Sequence, residues 1–236
     1  MDLEQLITQY QPSDSTRQLI RDTRIALLVG ISGAGKSTIK QQLLEKPDYS
    51  EIISHTTRSP RVDNGVAEIP DVNYYFINQD LARGMLAKQQ FIEAKFVHGV
   101  IYGTSVAELQ KVHDENKIAL ADLDIQGADE YAKISEEVKA IFILPPNYEV
   151  WRQRFQKRYK TSEEFEAEWP KRRASAIKEL THALEVPYYH FVINDELIAS
   201  VEAANKIICW TKSTDKQDTS IRRLVEILLR RIKTSD

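Results

Sequence analysis

The stretch 24–37, RIALLVGISGAGKS, decides how this chain is read. Five apolar residues, 25–29, have the length and composition of a buried parallel strand. The loop Gly30-Ile31-Ser32-Gly33-Ala34-Gly35-Lys36-Ser37 fits G-x-x-x-x-G-K-[ST], the pattern of a phosphate-binding P-loop. Its glycines let the backbone bend until successive N–H groups face one anion. A helix predicted over about 36–44 adds the positive end of its dipole. Lys36 is expected to reach the β- and γ-phosphates, and the Ser37 hydroxyl, with Thr38 beside it, to lie on the Mg²⁺ side. A strand before and a helix after separate this pattern from a glycine turn with a surface lysine. Residues 30–38 are therefore expected to hold a nucleoside triphosphate.

The bulk of the chain fits that reading. A length of 236 residues suits one large α/β domain or a core with inserted subdomains. Hydrophobic residues make up 42% and charged residues 28%, the proportions of a globular chain. A net charge of −3 gives no support for a nucleic-acid coat or a membrane-surface protein. Cys209 is the only cysteine, which excludes an intramolecular disulfide and favours a reducing compartment. The start, MDLEQLITQY, lacks the basic and apolar regions of a signal peptide, and no apolar run approaches a membrane span. A cytoplasmic protein is expected.

Outside the P-loop the chain reads in order. Leu3, Leu6 and Ile7 have helical spacing, and Pro12-Ser13-Asp14-Ser15 can end one helix and cap another. Residues 1–23 thus read as a helical extension lying on the core. In SHTTRSPR, 54–61, Arg58 and Arg61 stand beside small hydroxyl residues, the composition of a second anion site or of a solvated basic turn. Residues 62–73 read as a loop and 73–77 as a strand. A helix follows over 79–89, then short strands over 91–96 and 99–104. Ser105 caps the next helix with Glu108 three residues on.

The run 118–124 reads as a core strand ending in Asp122 and Asp124, which would share one face if the strand continued. Carboxylates at such a strand end can orient Mg²⁺ through water or cap a helix. Core strands are also predicted at 139–144 and 191–194. Between them the chain is helical and rich in Arg and Lys, mostly a solvated face with two or three cations able to reach a triphosphate. A crossover helix is expected over 197–210 and a polar linker over 211–219. The last helix, 220–233, places Ile221, Leu224, Val225 and Leu228 on one apolar face to dock on the core. His55, His98, His113, His182 and His190 show no metal-ligand spacing.

Taken together, GISGAGKS, SHTTRSPR, EIPDVNYYF, FIEAKFVHGVIYGTS, ALADLDIQGA, FILPPN and VINDEL resemble the guanylate kinase family, in the family's order over roughly 24–208. The resemblance implies an α/β fold, a P-loop NTPase-type parallel sheet flanked by helices, with an inserted GMP-binding subdomain and a helical lid. It divides the chain into an extension, 1–23; a P-loop core, 24–53, 117–150 and 173–210; a GMP-binding subdomain, 54–116; a lid, 151–172; and a linker with terminal helix, 211–236. The implied reaction is reversible transfer from ATP to GMP, with Mg²⁺ as cofactor, in a monomer or homo-oligomer without nucleic-acid or membrane partners.

By the same resemblance, Ser54, Glu93 and Thr104 contact guanine, while Arg58, Arg61, Tyr74 and Tyr102 hold the GMP phosphate. Asp122 is implied near Mg²⁺ through water, and Asp124 near the nucleotide ribose. Arg158 and Arg172 match lid arginines, and Asn194 a residue near the adenine. With Lys36 and Arg58, these lid arginines are the implied catalytic cations. A related kinase of a phosphorylated sugar, or a non-catalytic guanylate-kinase-like module that binds phosphopeptides, are the alternatives. The sequence departs from the family pattern in four extra residues between Arg61 and Glu68 and about three more in the lid. Asp71 and Val100-Ile101 also stand where the family usually has Gly and Asn-Tyr.

Overall fold

The computed structural model describes residues 3–63, 66–97, 99–209 and 219–235. The chain begins with helices α1 (Leu3–Thr8) and α2 (Asp14–Asp22), strand β1 (Ile25–Val29) and α3 (Lys36–Leu44). Short strands β2 (Tyr49–Glu51), β3 (His55–Thr56), β4 (Val62–Asp63), β5 (Val66–Ala67) and β6 (Tyr75–Phe76) follow. Next come α4 (Gln79–Ala87), β7 (Phe91–Val97), β8 (Val100–Ser105), α5 (Val106–Asp114), β9 (Ile118–Asp122) and α6 (Ile125–Ala132). The last third holds β10 (Lys139–Leu144), α7 (Tyr148–Gln156), α8 (Ser162–Glu185), β11 (Tyr189–Ile193), α9 (Leu197–Cys209) and α10 (Thr219–Thr234). This is a mixed α/β fold with parallel strands at its core and helices flanking them.

The chain forms two compact units. One comprises residues 26–47, 122–132 and 138–236. In it β10 lies between β1 and β11, all parallel, with Leu27 opposite Ala140 and Phe142 opposite Phe191. Every residue of β1 is buried, so its unbroken apolar run is what a strand covered on both faces requires. Helices α7 and α8 meet through aromatic side chains. Phe165 stacks on Trp169 with ring centroids 5.3 Å apart, and Trp151 lies 4.8 Å from Trp169. Helix α10 packs on α8 and α7 and buries Val225, Leu228, Leu229 and Ile232, and Arg222 donates to the carbonyls of Leu184 and Val186.

The other unit comprises residues 1–25, 48–121 and 133–137. Strands β2 and β9 pair in parallel within it. A four-stranded sheet, in the order β6-β3-β8-β7, carries most of its remaining structure. Leu3 of α1 joins Ala82, Met85, Leu86, Phe91 and Ile101 in a buried cluster. Ser13 caps α2 as its sequence predicts, its hydroxyl accepting from the Thr16 amide.

Several expectations change. The strand of Asp122 ends at that residue, so Asp124 does not continue it on the same face; its Oδ1 accepts from the Gly127 amide at 2.7 Å and caps α6. The loop predicted over 62–73 contains the β4–β5 ladder, and the strand predicted over 73–77 shrinks to two residues. Ser105 caps α5, its hydroxyl accepting from the Glu108 amide, but the Glu108 side chain is engaged elsewhere. Its carboxylate accepts from the Ile53 amide and the Tyr75 hydroxyl. Leu224 does not share the buried face of α10, being 48% exposed. The residues 210–218 of the predicted linker, with Trp210 and His98, lie outside the described residues.

Candidate functional site

The P-loop is built around backbone that tolerates no side chain. Gly30 has φ +140°, and a Cβ there would lie 2.3 Å from the Ile143 carbonyl oxygen. Gly35 has φ +94°, and a Cβ there would lie 2.1 Å from Asn194 Nδ2. Only glycine combines that backbone with that space. Lys36 opens α3 and its ammonium donates to the Gly30 carbonyl at 2.6 Å, folding the side chain back over the loop. Ser37 and Thr38 follow on the exposed side of the first turn.

Three side chains distant in sequence hold this loop. Asn194, 6% exposed, donates from Nδ2 to the Ala34 carbonyl at 2.8 Å. Trp151 Nε1 donates to the Ser32 carbonyl at 2.7 Å. Arg158 donates to the Ser32 hydroxyl at 3.2 Å, and Arg154 to the Asn194 carbonyl at 2.9 Å. Gly33, Gly35, Thr38, Arg154, Arg158 and Asn194 line an open cavity of about 300 Å³, closed further by Asp195 and Leu197. Trp151 and Arg154 fall in the helical, cation-rich stretch before Phe191, and the sequence singles out neither. Nothing local marks them, because their partners lie 119 and 40 residues away.

Arg172 and Asp124 are gathered in the same unit with a group the sequence reading missed. Glu179 on α8 interacts electrostatically with Lys36, Asp124 and Arg172, and burial pushes its carboxyl up to about 7. Arg172 itself is exposed, pairs with Glu168 at 3.9 Å, and lies over the Phe155 ring. Asp122 sits half-buried at the end of β9. Among the described residues no three His, Cys, Asp or Glu side chains are grouped to hold a metal. A Mg²⁺ carried by a triphosphate needs no such group; phosphate oxygens, water and one hydroxyl suffice, and Ser37 fits that set.

The second group of predicted residues lies in the other unit. Glu93 on β7 is buried, 7% exposed. Its Oε1 accepts from both the amide and the hydroxyl of Thr104, at 3.0 and 2.8 Å. Ser54 lies between β2 and β3, with its carbonyl accepting from the Tyr75 amide. The Arg58 guanidinium is sequestered: Nε donates to the Tyr102 hydroxyl at 3.1 Å, and its fork grips Glu68 at 2.5 and 2.6 Å. The Tyr74 ring lies under it, 4.9 Å from Cζ. Hydrogen bonding to Arg58 holds the Glu68 carboxyl below the usual carboxylate range. Glu68 also accepts from the Arg61 amide, while the Arg61 residue itself is exposed. A phosphate that takes the Arg58 fork in bidentate fashion must displace Glu68. Glu68 belongs to a stretch quoted for the resemblance, yet its ten-residue reach to Arg58 has no periodic signature.

A model of the family described as guanylate kinase matches residues 22–211. The chain belongs to the guanylate kinase family. It is 37% identical over 195 residues to a guanylate kinase of Clostridium perfringens, covering 81% of this chain and 86% of that one. It is 34% identical over 172 residues to a guanylate kinase of Pseudomonas fluorescens, covering 72% and 79%. The fold is similar to that of the guanylate kinase from Anaplasma phagocytophilum, with a TM-score of 0.60, 24% identity, and 87% and 94% of the two chains covered. In a guanylate kinase frame the departure at Asp71 has a physical reason. Its φ is +63°, the left-handed region that glycine enters freely and Asp tolerates better than most side chains. The insertion before Glu68 coincides with the β4–β5 ladder, whose flanking valines and intervening Asn64-Gly65 are a hairpin signal.

Proposed function

We propose that this chain transfers the γ-phosphoryl group of ATP to GMP, forming ADP and GDP, and that the reaction is reversible. The observation that carries the choice of acceptor is the buried Glu93 carboxylate held on one oxygen by Thr104. A buried carboxylate is stable when it meets donors. Guanine presents two on one edge, N1–H and the 2-amino group. Adenine has an acceptor at N1 and would set it against the carboxylate in place of a donor. Sites built on such hydrogen bonds discriminate by roughly 10⁴-fold or more.

The acceptor is already a phosphate anion, so no general base is required. The chain's task is alignment and neutralisation. In this reading Gly30 to Ser37 cradle the triphosphate, with Asn194 bracing the loop, and Lys36, Arg158 and Arg172 neutralise the transferring group. Arg58, Arg61, Tyr74 and Tyr102 hold the GMP phosphate, with Ser54 on the base and Asp124 near the ribose. Residues 54–116 serve as the GMP-binding part and 151–172 as the lid. Mg²⁺ would be held with ATP by Ser37 and, through water, by Asp122, where it supplies charge neutralisation between the phosphates.

The test is ADP release with ATP and Mg²⁺, offering GMP, dGMP, AMP, CMP and UMP in turn, with Glu93→Gln alongside. Turnover confined to guanine nucleotides, and a loss of at least about 100-fold in kcat/KM for GMP in the variant, is expected. A folded chain that turns over none of them refutes this reading in favour of phosphorylated sugars or phosphopeptides.

A further inference from the structure

Residues 1–21 lie outside the family match, yet helix α1 within them reaches the strand that carries Glu93. Helix α1 packs on β7 and α4, with Leu3 in the buried cluster and Ile7 and Tyr10 against it. Beyond its end, the Tyr10 hydroxyl donates to the Phe91 carbonyl at 2.5 Å and accepts from the Phe91 amide at 3.1 Å. Gln89 adds a bond to the Gln11 carbonyl. Strand β7 is the edge of its sheet, so one phenol satisfies both main-chain groups of Phe91 as a neighbouring strand would.

The position of this clamp matters. Phe91 pairs with Ser105 and Glu93 with Thr104, so β7 advances two residues while β8 advances one. That is a β-bulge between Phe91 and Glu93, a device that re-aims the side chains around it. The bulge sets Glu93 opposite Thr104, where Oε1 takes its two hydrogen bonds. Phe91 cannot slide without meeting Gly103, where even a Cβ would lie 2.9 Å from the Phe91 ring. Burial raises the Tyr10 phenol above its ordinary range, the hydrogen bond to Phe91 opposes that, and Glu93 adds to the rise.

We propose that Tyr10 is a positioning residue for base recognition: by clamping Phe91 it fixes the bulge that orients the Glu93 carboxylate, so part of the guanine specificity resides in a segment outside the family match. This rests on the reading of Glu93 as the guanine acceptor.

The experiment uses the full chain and Tyr10→Phe, which keeps the ring and removes both hydrogen bonds. Steady-state kinetics are measured with GMP and ATP, and GMP binding by calorimetry, in a double-mutant cycle with Glu93→Gln. The KM for GMP is expected to rise roughly three- to ten-fold, the worth of one or two hydrogen bonds. kcat and the KM for ATP stay within about two-fold. In the Glu93→Gln background Tyr10→Phe should change GMP affinity by less than about two-fold, because the group it positions is already altered. A second readout needs no variant: GMP should slow hydrogen exchange at the Phe91 amide of the wild-type chain, since the coupling is reciprocal. Unchanged GMP affinity in Tyr10→Phe with only a lowered melting temperature, or unchanged Phe91 exchange with GMP, overturns the positioning role alone. A wild-type chain that binds no GMP overturns the functional reading and this inference with it.

Discussion

At the scale of single residues, Glu179 shows how burial and neighbouring charge compete for one proton. Burial raises its carboxyl most, Lys36 opposes, Asp124 adds to the rise, and Arg172 and Lys178 oppose again, leaving it at about 7. An unfolded chain releases that proton near 4.5. Between these values the folded chain binds more protons than the unfolded one, so stability falls as pH rises. The contribution is full below pH ~4.5 and gone above pH ~7, a swing on the order of 3 kcal/mol. Glu179→Gln cannot titrate. Urea midpoints at pH 5 and pH 8 should therefore fall with pH more steeply in the wild-type chain than in the variant. Parallel trends would contradict the assignment. None of this was legible in the sequence, where Glu179 is one charge in a basic helical stretch. The P-loop glycines were legible because their pattern encodes the turn locally. That no side chain fits at Gly35 depends on Asn194, far away in the chain.

Among the elements, α10 and α8 separate pattern from packing. The periodicity of 220–233 announces an amphipathic helix, and it forms from Thr219 to Thr234. Yet two of its apolar residues, Leu224 and Ile227, stay exposed, and only contact with α8 and α7 decides which are covered. Ile232 and Val225 are fully buried, whereas Ile227 is 55% exposed. Ile232→Ala should cost about 2–5 kcal/mol in unfolding free energy, and Ile227→Ala less than about 0.5 kcal/mol. Equal losses by urea titration would mean that the helix docks on a different face. Helix α8 makes the same point against a breaker. Pro170 invites a boundary, but the helix runs unbroken from Ser162 to Glu185, with buried Phe165, Trp169 and Ala176 on either side of the proline. Aromatic packing outweighs the lost hydrogen bond. The predicted division at 172 and 173 falls inside this helix.

Over the whole molecule, the predicted GMP contacts other than Asp124 belong to one compact unit and the predicted ATP contacts to the other. Each ligand should then protect its own part of the chain. With GMP alone, slower amide exchange is expected mainly within 48–121. With a non-hydrolysable ATP analogue and Mg²⁺, it is expected mainly within 26–47 and 138–209. At a hundred times Kd, either ligand contributes about 2.7 kcal/mol, roughly 5–10 °C in Tm for a chain of this size. Protection by GMP confined to the P-loop unit would refute the division of labour.

The P-loop, the main strands and helices, and the family are legible from residue order alone, because each is written in short-range patterns: a glycine turn, an apolar run, a spaced motif. No helix in the described residues is long and apolar enough to cross a membrane. Folding in three dimensions sets what braces the loop, what occupies Arg58, which face of α10 is covered, and that Tyr10 holds Phe91 across 81 residues. Those are contacts between side chains and backbone groups left over once local structure has formed. Their partners are chosen by how the elements pack, which no periodicity in the sequence records.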